Sequence, residues 1–149
     1  MKAVGDGSSE DALGGQKQSA VVEHSRKAVE FAERYSRLND DPYESCFAYS
    51  RHRLQKIIGR LLPERGENLR LLDVGCGTGH HLAQLRRQGF DVAGIDATQE
   101  LIALARANNP GVPIRQGDVE ALPFPSGGFD VVLCVEVLRY LPGLAGCLR

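Results

Sequence analysis

The residues best placed to do chemistry are three glycines at alternate positions, Gly75, Gly77 and Gly79, directly after the apolar run Leu71-Leu72-Asp73-Val74. This pattern predicts a buried strand, a tight turn and a helix start, because glycine lets the backbone turn sharply and come close to a ligand. The unpaired N–H groups of the following helix are expected to point outward and favour an anionic group. Asp73 adds the opposite preference, since a carboxylate at the mouth repels a pyrophosphate and attracts an ammonium or sulfonium. Together the two predict a zwitterionic ligand. Asp96 and Asp118 follow at intervals of one strand-helix unit each, which sets all three acids on the carboxyl edge of one sheet, where open α/β folds bind their ligands.

The spacing is Gly-x-Gly-x-Gly, with His80 standing where the dinucleotide fingerprint has its third glycine. Asp-Val-Gly-Cys-Gly-Thr-Gly resembles motif I of the class I S-adenosylmethionine-dependent methyltransferases. The stretch Phe-Asp-Val-Val-Leu-Cys-Val-Glu-Val-Leu-Arg-Tyr-Leu-Pro, from Phe129, is similar to the family's segment around and after its fourth strand. The resemblance covers roughly residues 66–142 and implies S-adenosylmethionine as cofactor, an enzyme that transfers its methyl group, and a small-molecule acceptor. On the same resemblance, Asp73 with the loop Gly75, Cys76, Gly77 and Gly79 holds the methionine end. Asp96, with Ala97 beside it, accepts from the ribose hydroxyls. Asp118 and Val119 hold the adenine, and Cys134 to Glu136 line the pocket. Tyr35, in Phe-Ala-Glu-Arg-Tyr, resembles a short aromatic element that borders the cofactor, although aromatic residues at helical spacing are commonly core. Many relatives carry histidine where this chain has Tyr140, so no catalytic base is nominated.

These residues need elements to position them. Ala28, Phe31, Ala32, Tyr35 and Leu38 recur at helical spacing and predict an amphipathic helix over residues 20–38. Asn39-Asp40-Asp41-Pro42 breaks it, with Asp41 as the expected N-cap of a second helix, Pro42 in its first turn and Glu44 as capping-box acid. Phe47, Leu54, Ile57, Ile58, Leu61 and Leu62 would form that helix's buried face. Strands are expected over 69–74, 90–95, 112–116 and 129–135, the last covered on both faces, with helices over 78–88 and from Thr98 to about 108. Asp130, opening the fourth strand, reads as structural. His80 and His81 read as exposed first-turn residues. The fold class is therefore α/β, a Rossmann-like doubly wound parallel sheet comprising the first four strands of a seven-stranded methyltransferase fold, preceded by two N-terminal helices. The expected organisation is a flexible leader over 1–19, a helical segment over 20–65 and a partial S-adenosylmethionine-binding domain over 66–149.

With 149 residues, 42% of them hydrophobic, one domain with a real core is the natural reading. The net charge of -1 and the even spread of charges point to neither nucleic acid nor a membrane surface. Cys46, Cys76, Cys134 and Cys147 lie far apart without a Cys-x-x-Cys pair, so thiols are expected rather than a disulfide or metal site. The start has no apolar segment of the secretory type, which predicts an intracellular, cytoplasmic protein. Four strands leave the last one as an open edge suited to pairing with another chain, and the sequence is expected to be a shortened or truncated form. Two other functions compete with methyl transfer. One is a non-catalytic binding or regulatory piece, and the other is a nicotinamide dinucleotide domain, which shares the acid some 20 residues after the loop.

Overall fold

The structure, a computed structural model, describes residues 7–37 and 41–141. The first six residues, Leu38, Asn39 and Asp40 of the expected first helix and its break, and residues 142–149 with Cys147 lie outside the described residues.

Two helices come first, α1 (Gly7–Ser36) and α2 (Cys46–Leu61). The stretch expected as a leader is thus helical from Gly7. Its Gly- and Ser-rich composition is a weak prior, and here tertiary contacts override it, because Lys17 reaches Asp118 and Glu120 and anchors this end of α1 to the body. The cap of α2 also differs from expectation. Ser45 is the N-cap, its hydroxyl accepting from the Ala48 amide at 3.1 Å, while Asp41 closes a preceding turn by accepting from the Tyr43 amide at 2.8 Å. On α2, Ala48 and Ile58 are buried, but Ile57 and Leu61 are exposed, so the inward face is narrower than the hydrophobic pattern implies.

The sheet is built from β1 (Arg70–Val74), β2 (Asp91–Asp96), β3 (Ile114–Gln116) and β4 (Val131–Cys134), all parallel in the order β3-β2-β1-β4. Helices α3 (His80–Arg87) and α4 (Gln99–Asn108) make the crossovers. They cover one face with Leu82, Leu85, Ile102 and Ala105, against Leu71 and Val92 of the sheet. On the other face, Leu72, Val74, Ala93 and Ile95 are met by Val119, Phe124 and Phe129, so a loop rather than a helix closes it. Asp130 accepts from the Arg70 amide at 2.8 Å and pins β4 to β1, the structural role expected of it. Among the described residues β4 is an edge strand, and Val132 stands 59% exposed instead of being covered as a two-sided strand would be. The order places β1 at the point where the sheet reverses direction of growth, with its carboxyl end opening between β2 and β4. A turn of 3-10 helix, Leu138–Tyr140, follows β4.

Candidate functional site

At the end of β1, Gly75, Gly77 and Gly79 all take the left-handed conformation, with φ of 72°, 53° and 77°. That winding turns the loop back on β2. The amides of Gly75 and Cys76 both donate to the Ile95 carbonyl, at 2.8 and 3.0 Å, and Gly79 donates to the Cys76 carbonyl at 2.9 Å. The amides of Gly75, Cys76 and Gly79 are therefore satisfied within the fold. Gly75 and Gly79 are also packing positions. A Cβ on Gly75 would lie 2.1 Å from Cγ2 of Val137, and one on Gly79 would lie 2.3 Å from the side-chain amide nitrogen of Asn109. A Cβ on Gly77 would meet nothing within 4 Å, so this is where the loop opens outward.

Each of the three acids is in a different state. Asp96 straps the loop to α4, its Oδ2 accepting from the Gly77 amide at 2.9 Å and its Oδ1 from the Thr98 amide at 2.8 Å. A carboxylate oxygen accepts more than one bond, so Asp96 keeps capacity for a ligand hydroxyl. Asp118 accepts from the Glu120 amide at 3.0 Å and from Lys17, which also donates to Glu120 at 2.6 Å. Burial opposes its charge, but the ammonium and the amide outweigh that and hold its carboxyl below the usual range. Asp73 is 1% exposed, and its Oδ2 has no partner among the described residues. Burial first, and repulsion from Asp96 second, push it up to about 8, so it holds a proton at neutral pH.

A cavity of about 200 Å³ runs along this carboxyl edge. Its floor is Gly75, Gly77, Asp96, Ala97 and Gly117 to Val119, and its far wall is Val135 to Val137. Helix α1 roofs it from Lys17 to Tyr35. Of the residues that the sequence singles out, Tyr35, Gly75, Gly77, Asp96, Ala97, Asp118 and Val119 meet around this space. The other four, Asp73, Cys76, Gly79 and Cys134, do not line it. Asp73 is buried in β1 beneath the loop, and the Cys76 side chain turns into the core toward Gly94. Burial, with repulsion from Asp73 and Asp96, raises the Cys76 thiol far above its ordinary value. Gly79 faces α4, and Cys134 packs beside Leu72 and Val74. Tyr35 is both things the sequence allows, a cavity wall and a packed ring, edge-on to Phe47 at 5.6 Å and tilted on His80 at 5.5 Å.

Several residues at the site carry no local signal in the sequence. Arg51 of α2 is buried, pairs with Glu136 at 2.5 Å, donates to the Tyr35 hydroxyl at 3.4 Å and lies over the Phe47 ring. Its Nε has no partner among the described residues. Glu136 itself sits at φ 61°, a left-handed conformation costly for a residue with a Cβ and often found at functional sites. Lys17 lies within the supposed leader. His24 lines the cavity from α1. His80 and His81 are partly buried rather than exposed, His80 pairing with Gln55 at 2.6 Å. Burial lowers both, His81 to about 4 with repulsion from His80 as a further cause.

A parallel sheet with a wound glycine turn and an acid at the tip of the neighbouring strand is an architecture shared with proteins of known family. A family model described as a methyltransferase domain matches residues 72–149, just over half of the chain. The chain belongs to the class I S-adenosylmethionine-dependent methyltransferases. It is 40% identical over 100 residues to the ubiquinone biosynthesis O-methyltransferase of Sinorhizobium medicae, a match that covers 63% of this chain and 40% of that one. Among solved structures it resembles an S-adenosylmethionine-dependent methyltransferase from Mesorhizobium loti, with a TM-score of 0.58, 30% identity, and coverage of 63% of this chain and 44% of the other. It also resembles CalS10 of Micromonospora echinaspora, an amino pentose methyltransferase solved with S-adenosylmethionine bound. There the TM-score is 0.53 and the identity 29%, over 80% of this chain and 46% of CalS10. The chain spans about two fifths of the length of the curated relatives it matches. S-Adenosylmethionine is the cofactor of the family to which the chain belongs. No helix among the described residues is long and apolar enough to cross a membrane.

Proposed function

We propose that the cavity along the carboxyl edge binds S-adenosylmethionine and that the chain serves methyl transfer to an oxygen of a small-molecule acceptor. The observation that carries this is the placement of Asp118, Asp96 and Gly77 in one continuous groove, reading from β3 to β1. The residues fit the cofactor. Asp96 is positioned with spare acceptor capacity for ribose hydroxyls, and Asp118 and Val119 for the adenine. On the glycine-loop side two buried polar atoms have no partner among the described residues, Asp73 Oδ2 beneath the loop and Arg51 Nε, whose guanidinium is already paired with Glu136. Both Arg51 and Asp73 act electrostatically on the Tyr35 hydroxyl, so they flank the same region of the site.

When bound, the cofactor supplies a methyl carbon already activated by a sulfonium. What remains for the protein is alignment and exclusion of water, and such positioning is worth roughly 7–11 kcal/mol of a barrier. The α1 roof, with Ala20, Val21, Phe31 and Tyr35 over the groove, serves the exclusion, and the Asp96 strap serves the alignment. Calorimetric titration with S-adenosylmethionine and, separately, with NAD tests the reading. Heat with the first and none with the second is expected. Heat with NAD alone would restore the dinucleotide alternative, and heat with neither would favour a non-catalytic role.

A further inference from the structure

We infer that the outer face of α2 docks the protein on an anionic phospholipid surface, a role independent of the cofactor groove. The chain-wide charge of -1, which points to no membrane surface, averages this face away. Helix α2 carries Arg51, Arg53, Lys56 and Arg60 and no aspartate or glutamate, so acid prevails over base in the rest of the chain. Arg51 turns inward to Glu136, while Arg53, Lys56 and Arg60 stand exposed. The cations of α1 offer a contrast. Lys17, Lys27 and Arg34 each pair with an acid, whereas Arg53, Lys56 and Arg60 have no acidic partner among the described residues. The flanking acids Glu44 and Glu64 lie beyond the two ends of the helix.

Apolar side chains share that face. Tyr49, Arg53, Ile57 and Leu61 recur every fourth residue, with Lys56 and Arg60 at neighbouring three- and four-residue offsets, which sets all of them on one side of the helix. Ala48, Arg51 and Ile58 occupy the opposite, buried side. Leu61 is 79% exposed, and Ile57 and Tyr49 are exposed with it. At the N-terminal end Tyr43, 75% exposed, lies against Tyr49 with ring centroids 6.0 Å apart. Arg53 stands over the Tyr49 ring and donates to its hydroxyl at 3.2 Å.

A phospholipid surface answers both features. Its headgroups take the guanidinium and ammonium groups, and the glycerol and upper acyl region takes Leu61, Ile57 and the tyrosine rings, whose hydroxyls stay at the wet boundary. Tyr49 and Leu61 are about 18 Å apart along the axis with cations between them, so the helix would lie flat on the surface. A nucleic acid would satisfy the cations but leave Ile57 and Leu61 in water, because its phosphates offer them no apolar contact. Docking is peripheral, since no helix among the described residues is long and apolar enough to cross a membrane. Among the described residues, none from α2 lines the cavity, so this face can be altered without touching the groove.

The test is co-sedimentation of the full chain with vesicles of phosphatidylcholine and with vesicles of equal parts phosphatidylcholine and phosphatidylglycerol, beside binding to polyuridylate as a competing polyanion. Association with the anionic vesicles, weakened by added salt and absent from pure phosphatidylcholine, is expected. Each cation near such a surface is worth about a fivefold change in partitioning, so combining Arg53→Gln, Lys56→Gln and Arg60→Gln should lower it about 100-fold while the far-ultraviolet circular dichroism stays unchanged. The chain contains no tryptophan, so Leu61→Trp, which exchanges one exposed apolar side chain for another, supplies a single reporter. Its emission should shift to the blue on the anionic vesicles. Equal partitioning of the wild type and the combined variant, an unshifted emission at saturating vesicles, or equal association with both kinds of vesicle would overturn the assignment. Binding to polyuridylate with none to either vesicle would overturn it in favour of a nucleic acid, and binding to none of the three would leave the face without this role.

Discussion

Two acids of the site differ in what they are asked to do, and their substitutions should separate accordingly. Asp96 bonds the Gly77 and Thr98 amides and, in the proposed site, takes the ribose, so Asp96→Ala would remove both that ligand contact and the strap that shapes the loop. Hydrogen bonds to charged groups are worth about 1.5–3 kcal/mol each, and a loss of about 10- to 100-fold or more in affinity for S-adenosylmethionine is expected by calorimetry. An unchanged affinity would remove Asp96 from the site. Asp73 instead shows itself in stability. Its folded pKa of about 8 lies above its unfolded value of 3.8, so the folded state favours the protonated acid. That contribution is complete below about pH 4 and is lost as the pH rises toward and through 8. Asp73→Asn should therefore match the wild type near pH 4 in denaturant midpoint and exceed it at pH 8, whereas parallel pH profiles would show that the carboxyl ionises as in the unfolded chain. His81 has the opposite sign. Its folded value of about 4 lies below 6.5, so stability falls as the pH drops through that window, and His81→Gln should flatten it.

At the scale of elements, the central unit was legible and its surroundings were not. Leu71-Leu72-Asp73-Val74 followed by alternate glycines is a local signal, because the strand, the left-handed turns and the helix start all lie within ten residues of one another. Strands and crossovers duly fall within a residue or two of the expected bounds around Asp96 and Thr98. Which side chains face the cavity was not readable. Cys76 and Gly79 belong to the same loop as Gly77 yet turn to the core and to α4, a choice made by long-range packing against Gly94 and Asn109. The N-terminal reach of α1 was missed for the same reason, since its anchor, Lys17, binds acids about a hundred residues away. Lys17→Ala should free that end of the roof. Amide exchange over residues 15–24 is expected to quicken while β1 and β2 stay protected, and uniform protection with and without Lys17 would contradict an anchoring role.

For the whole molecule, the functional logic is a sheet edge covered by a helical roof, with charge arranged along the groove between them. Asp118 and Lys17 stand at one end and Asp96 in the middle, while Asp73 and Arg51 are buried behind the lining on the glycine-loop side. The chain belongs to a methyltransferase family, and the proposed reading lays S-adenosylmethionine along this groove. The most direct test is the amide NMR spectrum of the chain titrated with S-adenosylhomocysteine. Resonances of Gly75, Gly77, Asp96, Ala97, Gly117, Asp118 and Val119 should move together with one dissociation constant. Shifts confined to other surfaces, or a spectrum that stays still at saturating ligand, would contradict the account.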